Sequence, residues 1–244
     1  MTHLIALSYS PWSEKARWAL DHHRVPYRYE EYVPMLGEPL LRARLRRLTG
    51  KVTVPVLLHE GGSYTDSFDI ARHAERAGTG EPLFPPTVIA EIMRWNERSE
   101  SGLAAGRTLA VEGTASSVDA QVEALPPFVP ASVRPMVTSV ARLGVSFLRS
   151  KYKTGIDRGT AEASLAGVLE ELRTNLAGEP YLFEELTYAD ITMAVTLQFV
   201  RPVRDAFIPL GAATRRVWTN EGLSRRFADL IDWRDALYEK HRRG

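Results

Sequence analysis

The sequence contains no cysteine, so it has no disulfide and no Cys-ligated zinc site. No stretch approaches the ~18 apolar residues that a membrane span requires, and no membrane partner is expected. Neither sign of charge prevails. With 31 Lys and Arg against 30 Asp and Glu, the formal net charge is +1, and nothing suggests a nucleic-acid footprint. Met1-Thr2-His3 lacks the basic region, apolar run and small-residue cleavage site of a signal peptide, so a soluble cytoplasmic protein is expected. Gly-x-Ser-x-Gly, Gly-x-Gly-x-x-Gly and P-loop patterns are all missing, which removes support for the hydrolases and nucleotide enzymes that use them. No metal site is expected either. His22 and His23 are adjacent on a helix and point in different directions, so they make poor joint ligands. At the end of that helix their positive charge would suit the macrodipole.

What remains is a 244-residue chain, long enough for one large domain or two smaller ones. Residues 1 to 77 mix short apolar runs with helical patterns. Strands are expected at 3–8, 27–33, 54–59 and 63–65, and a helix at 11–22 with Trp12, Ala16 and Ala19 or Leu20 at helical spacing. Gly78-Thr79-Gly80-Glu81-Pro82-Leu83-Phe84-Pro85-Pro86 breaks any helix and has the composition of an interdomain linker. Beyond Thr87 the pattern is helical. Met136, Val140, Leu143, Phe147 and Leu148 share a face, as do Leu165, Val168, Leu169, Leu172 and Leu176, and near the end Phe227, Leu230, Ile231 and Leu237. Four prolines between Gly113 and Pro135 (126, 127, 130 and 135) suggest a long loop there. The basic run Arg42, Arg44, Arg46, Arg47 and Lys51 is expected to form a solvated helix face and its flank.

Three short motifs stand out in the first part. Leu4 to Arg17 is a strand, a turn, and a helix with Ser10 at its cap and Pro11 at its first position. Val52-Thr53-Val54-Pro55-Val56-Leu57-Leu58 is an apolar strand with a proline at its start. Tyr64 to Ile70 runs from a strand into a second capped helix, with Asp66-Ser67 at its beginning. Two helix N-termini would thus face one edge of a small sheet, a ready place to hold an anionic peptide. In the second part Thr187-Tyr188-Ala189-Asp190 is a capping box with Asp for Glu, and Leu186 can staple onto Ile191.

In order and spacing these motifs resemble the cytosolic glutathione transferases, of serine type and bacterial-like, over nearly the whole chain. The resemblance implies an α/β thioredoxin-like N-terminal domain over residues 1–80, which binds glutathione. It implies an all-α C-terminal domain over 87–244, which lines the electrophile site. The activity implied is detoxifying conjugation of the glutathione thiolate to a small hydrophobic electrophile, with glutathione as co-substrate and the protein a homodimer. The alternative is a transferase-fold protein that binds glutathione or a hydrophobic ligand without catalysis, or acts as an interaction module.

Such an enzyme must present glutathione as a thiolate, because the thiolate is the nucleophile. Lowering a thiol pKa near 8.5 by about two units requires roughly 2.7 kcal/mol. A helix N-terminus supplies ~0.3–1 kcal/mol and occasionally ~2, and a hydrogen bond to the charged sulfur roughly 1.5–3. By resemblance Ser10 holds the catalytic position where both act, with Ser13 one turn along as the alternative and Tyr9 behind it; Ser10 alternatively only caps its helix. Relatives with glutaredoxin-like activity carry Cys at this position, and a hydroxyl cannot form a mixed disulfide, so thiol–disulfide exchange is not expected.

The resemblance also implies a cis bond before Pro55, with the Val54 backbone pairing with the cysteinyl part of glutathione; a trans proline opening an edge strand is the local alternative. Ser67 would take the γ-glutamyl carboxylate and Asp66 the α-ammonium, although relatives more often carry Glu or Gln in place of Asp66; either residue alternatively serves only as a cap. Lys51 is placed to reach the glycyl carboxylate or to remain solvated. Trp12, Trp95 and Tyr152 are the apolar candidates for an electrophile pocket between the domains.

Overall fold

The structure is a computed structural model that describes residues 2–34, 36–125 and 156–242. It begins with β1 (His3–Ala6), α1 (Pro11–His22) and β2 (Arg28–Glu31). β1 and β2 are parallel, with Ile5 opposite Glu30, and a parallel pair needs a crossover such as α1. Then come α2 (Glu38–Leu45), β3 (Val56–His59), β4 (Gly62–Tyr64) and α3 (Ser67–Ala77). β3 runs antiparallel to both β1 and β4, giving a four-stranded mixed sheet in the order β2-β1-β3-β4. Glu60-Gly61 turns the β3–β4 hairpin, and Gly62 follows at φ 134°, a backbone that side chains rarely adopt.

Side-chain alternation sorts the sheet into two faces. Leu4, Ala6 and Leu57 join a core with Ala16, Leu20, Ile70 and Ala74 of α1 and α3. Ile5 and Val56 point the other way, to Leu41 of α2, Tyr32 and Val52. Of the basic run, Arg42 and Arg44 lie on α2 and Arg46 at its C-cap, while Arg47 and Lys51 follow the helix. Arg42 binds Glu38 on its own helix, and Arg44 makes two bonds to Glu30 at 2.7 and 2.8 Å.

The remainder is helical among the described residues: α4 (Ile89–Ser116), α5 (Val118–Glu123), α6 (Arg158–Leu176), α7 (Tyr188–Thr196), α8 (Ala212–Trp218), α9 (Glu221–Arg226) and α10 (Ala228–His241). Every residue of α7 is buried. It packs against α4 and α10 and also against α1, so the main core runs without a break from Leu4 to Tyr238. The capping box at its start is formed. Asp190 Oδ2 accepts from the Thr187 backbone N–H at 2.8 Å and its hydroxyl at 2.9 Å, while Oδ1 accepts from the Leu182 N–H at 2.7 Å. No helix among the described residues is long and apolar enough to cross a membrane.

Two expectations change. Residues 113–123 are not a loop: α4 continues to Ser116 and α5 follows, capped by the Ser117 hydroxyl, which accepts from the Ala120 N–H at 3.3 Å. The first proline of that stretch, Pro126, comes only after α5; residues 126–135 and the helical pattern from Met136 to Leu148 lie outside the described residues. His23 does not bring positive charge to the end of α1. It is buried, and that burial, helped by neighbouring His22, pushes its pKa down to about 4, so the ring is neutral.

Candidate functional site

A cleft of about 800 Å³ opens between the sheet edge and the α4 side of the helices. Its first wall is built from three chain segments that the topology brings together: Leu7–Trp12 after β1, Thr53–Pro55 before β3, and Thr65–Ser67 before α3. Its second wall comes from α4, α8, and the turn at Phe199.

Ser10 lines the cleft at the N-cap of α1, with φ −77° and ψ 126°, and its side chain makes no capping bond. Its carbonyl accepts from the Glu14 N–H at 2.9 Å, and Pro11 at the next position has no N–H to satisfy. The hydroxyl is therefore not consumed by its own helix. Ser13 is placed differently: it is wholly buried, its Oγ accepts from the Leu7 N–H at 3.1 Å, and it forms no part of the cleft wall. Tyr9 lines the cleft too, its ring edge-on to Trp218 at 6.1 Å.

Val54 and Pro55 form the floor beside Ser10, and the bond between them is cis. Asp66 is the N-cap of α3, its carboxylate accepting from the Phe68 N–H at 2.8 Å. Ser67, the first residue of that helix, is 2% exposed, and its Oγ makes no hydrogen bond of good geometry, its polar neighbour being the buried Tyr188 hydroxyl. A buried hydroxyl without a well-formed bond is uncommon. This one lines a cleft at a helix N-terminus, where an anion is favoured. Lys51 is exposed at the rim of the same cleft.

The second wall is apolar and aromatic, with charges tied down between elements. Trp12 lies between both walls: its indole N–H donates to Glu100 Oε2 at 2.7 Å, and the Arg107 guanidinium sits 4.7 Å from its ring centroid. The other oxygen of Glu100 takes the ammonium of Lys15, a fully buried residue whose pKa is lowered by that burial despite Glu100 beside it. Glu123 accepts from the N–H groups of Ala213 and Thr214 at 3.0 and 2.7 Å, capping α8. Partial burial alone would raise its pKa, but those bonds outweigh it and hold the carboxyl below its usual range.

The cleft thus brings together Ser10, Trp12, Val54, Pro55, Asp66 and Ser67. Trp95 is elsewhere, 8% exposed within the main core, because its position on α4 faces inward. Tyr152 lies outside the described residues. Sequence reasoning did not find Phe199, Trp218 and Arg107, which reach the cleft from elements without a local motif. Among the described residues no group of three or more His, Cys, Asp or Glu gathers as a metal site.

Residues 9–77 match the family model for the glutathione S-transferase N-terminal domain. Comparison with curated proteins finds no match. The whole chain is similar to solved structures at low identity. One is a glutathione S-transferase from Methylobacillus flagellatus KT with GSH bound, at 14% identity and TM-score 0.63, covering 99% of this chain and 96% of that one. Another, from Methylobacterium radiotolerans JCM 2831 in complex with glutathione sulfonate, is 17% identical with TM-score 0.62 and covers 98% and 91%. Glutathione transferase Xi 1 from Trametes versicolor is 16% identical with TM-score 0.61, covering 99% and 80%. The chain as a whole therefore has the glutathione transferase fold, with residues 9–77 similar to the N-terminal domain of the glutathione S-transferases.

Proposed function

We propose that this protein is a glutathione transferase that joins the thiolate of glutathione to a hydrophobic electrophile. The observation that carries this reading is the meeting, in one cleft, of the buried Ser67 hydroxyl at one helix N-terminus and the uncommitted Ser10 hydroxyl at another. A tripeptide with a carboxylate at one end and a thiolate in the middle satisfies both.

Ser67 donates its hydroxyl and backbone N–H to the γ-glutamyl carboxylate, and Asp66 accepts from the α-ammonium. The Val54 backbone, beside Ser10 in the cleft, pairs with the cysteinyl residue. Ser10 donates its hydroxyl to the sulfur, with the α1 N-terminus adding its partial positive charge; together these match the roughly 2.7 kcal/mol that thiolate formation near neutral pH requires. The thiolate then attacks the electrophilic carbon. A C–S bond forms from the sulfur lone pair, and the leaving group departs with its bonding pair, or an added double bond takes up a proton. The electrophile rests on the wall of Trp12, Phe199 and Trp218. We place the glutathione-binding domain at residues 1–80 and the helical domain at 87–244, and read the protein as a cytoplasmic homodimer with a detoxifying role.

Titration with glutathione from pH 6 to 9, following thiolate absorbance and heat together, tests this. Binding with thiolate formed below its solution pKa is expected. Absence of binding at millimolar glutathione would overturn the reading.

A further inference from the structure

Glu14 stands in the first turn of α1 with no exposed surface. A carboxylate so placed needs paired and hydrogen-bonded partners. Two arginines provide them from distant parts of the sequence. Arg242, which follows α10, donates its Nε to Glu14 Oε1 at 2.7 Å, and Arg17 donates Nη2 to Glu14 Oε2. Arg242 is held from its other side as well, by Asp21 Oδ2 at 2.7 Å, while Asp21 Oδ1 takes the Tyr27 hydroxyl at 2.9 Å. The same Arg17 Nη2 donates at 3.1 Å to the carbonyl of Ser8. Ser8 lines the cleft and leads the chain into Tyr9 and Ser10. A continuous run of bonds therefore joins Arg242, through Glu14 and Arg17, to the backbone that carries Ser10. Arg242 itself is no part of the cleft wall.

We propose that Arg242 is a positioning residue for Ser10: by neutralising half of Glu14 it leaves Arg17 able to hold the Ser8 carbonyl. The inference rests on the role given to Ser10 above. Its physical basis is a competition for one guanidinium. A charge-assisted bond to a carboxylate is roughly twice as strong as a bond to a neutral carbonyl. With Arg242 absent, Glu14 draws Arg17 fully onto itself, and the Ser8 carbonyl and the turn behind it are released. Removing the carboxylate as well removes the pull.

The test compares R242M, R242K and the double variant E14Q/R242M with the wild type. Two quantities are read: the midpoint of thiolate formation in the glutathione complex, and amide hydrogen exchange at Tyr9 and Ser10. In R242M the midpoint is expected to rise by about one pH unit and exchange to quicken about tenfold, while glutathione affinity stays within a few-fold. R242K, which keeps the charge without the two-pronged fork, is expected between the two. E14Q/R242M is expected to return both readouts toward wild type, a recovery that lost packing alone would not produce. Wild-type values in R242M, or in R242K where R242M does not fold, overturn the proposal, as does failure of the double variant to recover. Should the wild type form no thiolate, the functional reading fails, and amide exchange alone decides whether Arg242 positions the Ser8–Ser10 turn.

Discussion

Trp12 and Glu100 meet across the cleft, the indole N–H of one donating to a carboxylate oxygen of the other at 2.7 Å. The remaining oxygen of Glu100 holds buried Lys15, so one carboxylate serves an aromatic wall and a buried cation at once. Replacing Glu100 by Leu leaves Lys15 without its anion. Because the Glu100 side chain is 41% exposed, the loss is moderated by water. A destabilisation of about 2 kcal/mol is expected, with Glu100→Gln milder because its single amide oxygen keeps one of the two bonds. Urea unfolding of the two variants checks the order; equal stability of Glu100→Leu and wild type would contradict it.

The two serines of α1 are expected to separate cleanly. Ser10→Ala removes a hydroxyl that its own helix does not use, so stability should change little. The thiolate midpoint should rise by about one unit and turnover fall about tenfold or more. Ser13→Ala leaves the partly buried Leu7 N–H without its acceptor and should cost about 1 kcal/mol of stability, with turnover per folded molecule preserved. Paired measurement of melting temperature and turnover in both variants reads this out. The reverse assignment of effects would move the catalytic role to Ser13.

Gly106 lies on α4 where Phe199 crosses it, and a methyl group there would stand 2.5 Å from the Phe199 Cβ. Gly106→Ala gains helix propensity of about 1 kcal/mol but overpacks a fixed aromatic at a cost of about 1–3. Net destabilisation is expected, together with weaker binding of the electrophile, since Phe199 forms part of the cleft wall. Thermal unfolding and KM for the electrophile, with KM for glutathione as the internal control, are the measurements.

His23 gives a dependence on pH. Its folded pKa of about 4 lies below the ordinary value of 6.5, so between these the unfolded chain binds a proton that the folded one does not. Its contribution is therefore complete above 6.5 and is lost as pH falls toward 4, about 3 kcal/mol in all. Asp190, whose carboxyl burial raises to about 6 against the pull of the Leu182 and Thr187 N–H groups, acts in nearly the same range with the opposite sign. The two effects overlap in the wild type, so the readout is the difference from His23→Gln. Urea unfolding at pH 7, 5.5 and 4.5 should show the wild type losing ground to the variant as pH falls.

The parts of the fold governed by local chemistry were legible in the residues. Strand alternation around Leu4–Ala6, Pro11 at the start of α1, and Asp66 capping α3 each act over a few residues. The cleft floor follows from them, since a β-α-β unit and a hairpin leave few ways to bring Val54 near Ser10. What could not be read depends on contacts distant in sequence. Trp95 had helical spacing but no mark of which face turns inward. Glu14 looked like any acidic residue in a first helical turn, and its partner stands 228 positions away. Four prolines suggested a loop beginning at Gly113, whereas the helix continues through that residue and passes so close to the Val217 carbonyl that only glycine fits.

The buried face of α1 carries Trp18, whose ring lies 4.5 Å from that of Tyr238 on α10. A contact between the first helix and the last means that neither half of the molecule keeps its interior when parted from the other. Cutting the chain at the glycine- and proline-rich segment near residue 80 would sever a covalent link yet leave an intact object. Expressing either half by itself would yield a chain with a large apolar face and nothing to cover it. A single cooperative melting transition is the expected consequence.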